Sequence, residues 1–328
     1  MKPLRVAIAG IGIVALKLAG VTAGWAILAL VTMFSLARGF CSVAAKDVLG
    51  KTIPKPKRGQ LTGWSASAAG LVSIAVGGVL LLPAADRADA SLLALLLIGA
   101  AGLWLVAAGI YSRVPEQPGE TDGGGSVVDA LKRLRLILRD RPFRRFVTTR
   151  ALLMCSALSA PFYIALAQEM LGSPTWALGL FVIAAGVAGL VSAPVWGRFA
   201  DASSRSVMIA AALMTSGIGI LTFVIARYAG NVAAAAWFLP LAYFVLSVAH
   251  SGVRVGRKTY VVNLASGNQR TDYVAISNTI IGVLLLVVGA IGSLAAVIGN
   301  AGVIGVLALM GLAGALLGTT LEDVENGS

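Results

Sequence analysis

Five residues of this chain are the wrong kind for the runs that hold them. Arg38 lies in TMFSLARGFCSV, Arg150 in FVTTRALLM, His250 in LSVAHSGV and Asn278 in AISNTII, while Tyr163 follows Pro161 and Phe162 in SAPFYIAL. A polar or ionisable group inside an apolar segment is expensive unless a cavity, a solute or a partner compensates it, which makes each a candidate cavity-lining residue. Arg38 and Arg150 could hold an anion, and His250 could titrate near neutrality. Tyr163 offers a hydroxyl and Asn278 an amide to a solute or to a neighbouring helix. The structural alternatives are equally physical: arginines can snorkel to an interface, and Tyr163, His250 and Asn278 can pack as hydrogen-bonded core residues. Metal chemistry is not indicated, because there is one histidine and no His/Cys cluster. No cofactor is expected either, and no clustered acids or nucleophile–base pair suggests an enzyme.

These residues sit in a chain of 328 residues that is 58% hydrophobic and only 12% charged. Soluble domains carry about 25% charged residues, so the fold class is an all-α polytopic membrane protein with the lipid bilayer as its solvent. The formal charge of +12 would point to nucleic acid in a soluble chain. Here it reflects cations kept on one side of a membrane, and no nucleic-acid partner is expected. Cys41 and Cys155 both lie in apolar segments and read as small hydrophobes, not as a disulfide.

A spanning helix needs about 20 apolar residues. That window predicts about ten spans: 6–21, 24–46, 60–83, 90–112, 147–169, 174–196, 206–228, 232–256, 272–297 and 299–320. Between them fall turn sequences such as AADRADA, QEMLGSP, YAGN and IGNAG. The resulting division is a four-helix N-terminal bundle over 1–112, a cytoplasmic linker over 113–146, a six-helix bundle over 147–321 and a cytoplasmic tail over 322–328. The linker opens as flexible EQPGETDGGGS. It then places Val127, Leu131, Leu134 and Leu138 at helical spacing among basic residues, as a surface amphipathic helix does. With the N-terminus inside, the outer loops hold only Arg87 and Arg227, so both termini are expected to be cytoplasmic, in the inner membrane of a bacterium. The opening MKPLR followed by an apolar run also fits a signal peptide, which would leave the downstream topology unchanged.

The two halves echo one another. An offset of 212 lays Arg38 on His250, Val43 on Val255, Lys46 on Lys258 and Arg58 on Arg270, and it superposes the last four spans on the first four. Two related bundles of equal orientation are a parallel repeat. The spans 147–169 and 174–196 have no upstream counterparts, so the repeat predicts that two helices and the start of a third are missing before Met1.

The loop WGRFADASSRS, residues 196–206, resembles the G-x-L-a-D-r-x-G-r-k signature of the major facilitator superfamily, with Gly197, Asp201 and Arg205 in matching places and Phe199, Ser204 and Ser206 departing from it. Arg38 resembles that superfamily's fourth-helix arginine, although Cys41 and Ser42 stand where the family has Gln and Gly. KRGQLTG, residues 57–63, is similar to the start of its fifth helix. The resemblance implies helices three to twelve of a twelve-helix transporter. It further implies a cytoplasmic gate formed by Gly197, Asp201, Arg205 and Arg58, with Asp201 meeting a helix N-terminus, and a small-molecule site between the bundles.

Transport of a small solute by alternating access is therefore the expected function. The cations at candidate positions, with no acid at mid-span, lean toward an anionic or polar substrate. Proton coupling is left open by that missing acid. A nucleotide-driven pump would need GxxxxGK[ST], which is absent. The rival expectation is a non-transporting fragment or membrane scaffold derived from a truncated transporter gene.

Overall fold

The computed structural model describes residues 2–17, 20–52, 55–83, 90–115, 139–172, 175–264, 268–288 and 290–324. Among these residues every regular element is helical and none is a strand. Hydrocarbon offers backbone groups no water, and a helix pairs them within one segment. Seven helices are long and apolar enough to cross a membrane: 20–39, 91–111, 141–171, 175–202, 204–228, 238–261 and 291–318. The other three expected spans reduce to the shorter apolar stretches Val6–Lys17, Ala68–Leu80 and Ile276–Leu285. Two of them belong to helices that open on polar sequence, KPKRGQ and NQRTD, and the third ends at Lys17. The expected linker helix falls largely on 116–138, outside the described residues.

The chain forms two compact units, Met1–Thr62 with Leu82–Asp122, and Gly63–Leu81 with Gly123–Ser328. The first contains α1 (Lys2–Lys17), α2 (Gly20–Thr52), the opening turns of α3 (Lys55–Leu80) and α4 (Ala90–Tyr111). Helix α1 packs on both α2 and α4, with Ala7 and Ala94 wholly buried and Phe34 edge-on to Trp104 at 6.5 Å. Helix α2 continues past the expected end at residue 46, through Lys46 and Asp47 to Thr52.

The second unit contains α5 (Arg141–Leu152), α6 (Cys155–Leu158), α7 (Ala160–Leu171), α8 (Thr175–Ala202), α9 (Ser204–Tyr228), α10 (Gly230–Ala233), α11 (Phe238–Leu264), α12 (Asn268–Val288) and α13 (Ile291–Gly318). Helix α9 packs between α11 and α13, and α8 covers α11. Its breaks follow local chemistry. Asp140 caps α5 by accepting from the Phe143 amide at 3.0 Å. Gly172 ends α7 with φ +75°, and Gly299, in the turn signal IGNAG, kinks α13 at φ +73°, a conformation glycine adopts without strain.

The Gly63–Leu81 portion of α3 lies in this second unit, although sequence groups it with the N-terminal bundle. It runs antiparallel to α8, with Gly70 facing Gly186 and Gly77 facing Gly179. A methyl group on Gly186 would lie 2.9 Å from the Gly70 carbonyl, and one on Gly77 would lie 2.6 Å from an Ile183 side-chain carbon. Only hydrogen fits there, as small-residue packing between membrane helices requires. We expect Gly77→Leu and Gly186→Leu each to destabilise the purified protein by about 1–3 kcal/mol through overpacking. Gly78→Ala, which meets nothing within 4 Å, should leave thermal unfolding unchanged.

Candidate functional site

The span 141–171 is not one helix. It is interrupted at Leu153–Met154 and again at Ser159, and Pro161 falls in the first turn of α7. Pro161 thus stands where the helix restarts: proline has no amide to donate and is tolerated in a first turn. Serine hydroxyls bond carbonyls at both breaks, and Cys155 O also accepts the Ser159 amide at 2.9 Å. Ser156 Oγ donates to Leu153 O at 3.1 Å, and Ser159 Oγ donates to Cys155 O at 2.8 Å.

Ser156 is also where α6 meets α11. Its Oγ lies 3.1 Å from His250 Nδ1. A hydroxyl has one proton to donate, so while Ser156 donates to Leu153 it accepts from Nδ1–H. Beside this pair opens a cavity of about 280 Å³ bounded by α6, α7, α8 and α11. Its polar lining is Ser156, Tyr243, Ser247, His250, Ser251 and Arg254, with Gly189 and Ala185 on the α8 side. The small α8 residues leave the room, and the α11 residues supply the chemistry. Helix α11 is fixed there by Trp196, whose indole donates to Val248 O at 2.9 Å.

A second polar junction ties α5 to α12. Arg150 donates through Nη2 to Asn278 Oδ1 at 2.8 Å and through Nη1 to Ser277 Oγ. Its Nε is buried with no hydrogen-bond partner among the described residues. Both acceptors are neutral, so the guanidinium charge is solvated by dipoles there and not neutralised.

Of the residues singled out from sequence, the structure therefore joins Arg150 to Asn278 and places His250 on the cavity. Tyr163 is fully buried, shares a hydrogen bond of 3.2 Å with Thr222 and packs edge-on to Tyr243; it is not among the cavity residues. Arg38 is exposed on α2, in the first unit. Sequence reasoning passed over Ser156, Ser247, Ser251 and Arg254. The serines look like ordinary small packing residues in a membrane helix.

The signature-like stretch 196–206, expected as a loop, is helical but for one residue: α8 runs on to Ala202, so Gly197 and Asp201 lie in its last turns, Ser203 caps α9, and Arg205 lies in the first turn of α9. Asp201 is exposed and Gly197 half-buried; the Arg58 side chain lies outside the described residues. Arg205 turns to its own unit. It donates to Leu321 O at 3.0 Å and pairs with Asp323 at 3.7 Å. Arg145 reaches Thr320 O at 3.3 Å, and the Tyr260 hydroxyl reaches Glu322 O at 3.2 Å. Side chains from α5, α9 and α11 thus clasp the four residues 320–323, just beyond the carbonyl end of α13, where cations are favoured. Charge-assisted hydrogen bonds contribute about 1.5–3 kcal/mol. Arg205→Ala should accordingly raise amide exchange over 321–324 by about tenfold or more while leaving exchange around Ser247–Ser251 unchanged.

Comparison with known proteins finds no family model that matches this chain and no curated protein that matches it.

Proposed function

We propose that the chain carries a small solute across a membrane, with the solute bound in the cavity between α6, α8 and α11. The observation that supports this is the cavity itself: a half-open space of about 280 Å³, mostly apolar in its lining but carrying six polar side chains, between helices of segments apolar and long enough to span a bilayer. Ligand sites in helical carriers are commonly built at interrupted helices, where loose backbone groups face a cavity, and the span 141–171 is interrupted beside His250. The volume approaches the ~300 Å³ lower end of small-molecule pockets.

In this reading the major facilitator resemblance supplies the cycle, alternating access, and the junction of α8 and α9 that holds Gly197, Asp201 and Arg205 is its gate. Arg205 would then couple that gate to residues 320–323, which it already holds. The test is solute flux into proteoliposomes containing the purified chain, across a panel of organic anions, sugars and cationic drugs. Flux of at least one class above empty vesicles is expected, falling about tenfold or more in His250→Ala and unchanged in Tyr228→Ala, an exposed residue of α9. Absence of flux for the whole panel would withdraw the transport reading.

A further inference from the structure

Helices α9 and α13 run antiparallel: Gly219 meets Ala308, and Gly305 meets Phe223. From the first of these contacts toward the Tyr228 end of α9, the pair opens into an apolar groove of about 510 Å³. Ile220, Phe223 and Val224 line it from α9, and Ile298, Val306 and Leu309 from α13. Between them Gly302 and Gly305 present no side chain, and a methyl group on Gly305 would lie 3.1 Å from the Phe223 ring. Ile220, Val224, Val306 and Leu309 are exposed, so the groove opens to whatever surrounds the helix pair.

Helix length sets the depth of this groove. The 25 residues of α9 measure about 37 Å at about 1.5 Å per residue, so the helix ends stand beyond a hydrocarbon core of about 30 Å. Tyr228 closes α9 and Trp237 precedes α11, which returns alongside with Gly256 next to Ser204. Both rings are exposed, as aromatic residues at a membrane interface are. From Ile298 to Leu309 the groove covers roughly 16 Å of α13, close to half the core thickness. It starts at the interface and stops at mid-depth, where Gly219 and Ala308 close the gap. A partner helix needs a face running the full thickness, whereas the acyl chain of one leaflet needs only this half.

At the interface end Arg227 continues the same line of α9: residues 220, 223, 224 and 227 follow the i, i+3, i+4, i+7 spacing of one helix face. Its guanidinium lies 5.9 Å from the Tyr228 ring centroid. That contact uses the face of the group and leaves its in-plane N–H donors, whose fork fits phosphate oxygens. The acids of this unit with described side chains divide between the two ends. Glu169 is at the Arg227 end, where it accepts from Asn300 Nδ2 at 2.5 Å. Asp140, Asp201, Glu322 and Asp323 are at the Ser204 end, around the residues that clasp 320–323. Among the described residues none of these five forms an ion pair with Arg227.

We propose that the groove between α9 and α13 is a phospholipid site: one acyl chain lies along Gly302 and Gly305, and the lipid phosphate is held by Arg227. The test uses the full chain, purified in detergent and stripped of lipid. Native mass spectrometry counts retained lipid, and thermal unfolding is followed as phosphatidylglycerol is added. Diacylglycerol supplies the chains without a phosphate, and glycerophosphoglycerol the headgroup without chains. One phosphatidylglycerol retained per chain and saturable stabilisation by it are expected, with apparent affinity at least fivefold weaker for diacylglycerol. Val306→Trp, which fills the groove, should abolish retention. Arg227→Gln should weaken affinity about fivefold, and Arg227→Lys should keep part of it. Leu316→Trp, exposed on α13 outside the groove, should change nothing.

No retained lipid, undiminished retention in Val306→Trp, or equal affinity for diacylglycerol would each overturn the proposal. So would a dimer in the same spectra that Val306→Trp converts to monomer, since a second copy would then occupy the groove. Arg227 is exposed, so its substitutions leave the core packing intact and keep the test decisive where Val306→Trp does not fold. Full affinity in Arg227→Gln would overturn the phosphate contact and with it the proposal.

Discussion

A backbone carbonyl in hydrocarbon has no water to accept from, and the second unit is organised around that constraint. Wherever a helix stops inside an apolar span, something must answer the freed groups. At the Leu153–Met154 break the answer is the Ser156 hydroxyl, which donates to Leu153 O. The same hydroxyl also reaches His250, so the device that lets the helix break also orients the imidazole at the cavity. The break, the ring and the space are thus one arrangement. Had the span been continuous, Ser156 would not be turned jointly toward Leu153 and α11.

Packing around that arrangement follows a division of labour by residue size. Glycines let α3 and α8 approach until carbonyls nearly touch the facing chain. Aromatic pairs fill one end of the unit, with Phe143 stacked on Tyr273 at 4.0 Å and Phe146 on Tyr260 at 5.1 Å. Between these tight regions, Ala185 and Gly189 are too small to close the gap facing α11. The cavity is what remains when small residues meet a polar stripe.

Much of this was legible along the chain. The apolar segments, the turn signals around Gly172 and Gly299, and the polarity of His250 and Arg150 all follow from local chemistry. The linkage of Arg150 with Asn278 was not, since nothing in either run names the other. Ser156 was missed because its role exists only once the helix breaks and α11 arrives. Arg254 is hidden for a different reason: its place on the cavity shows only in its angle on the helix, where it shares a face with His250 and Ser247. The glycine pairs are similarly silent until two helices are laid side by side, which is why α3 was grouped with the N-terminal spans.

The polar stripe has a consequence for how the chain is made. Of the seven membrane-length helices, 238–261 is the least apolar and the most enclosed by protein. His250 stands at mid-span and Arg254 about one turn beyond it, and polar or charged groups at such depths disfavour insertion, so this segment partitions less readily than its neighbours. Its neighbours α8 and α9 are markedly more apolar and precede it in the chain. Biogenesis therefore has an order built into it: the two greasy helices enter first, wait in the bilayer, and supply the protein surface against which α11 can be released from the insertion machinery.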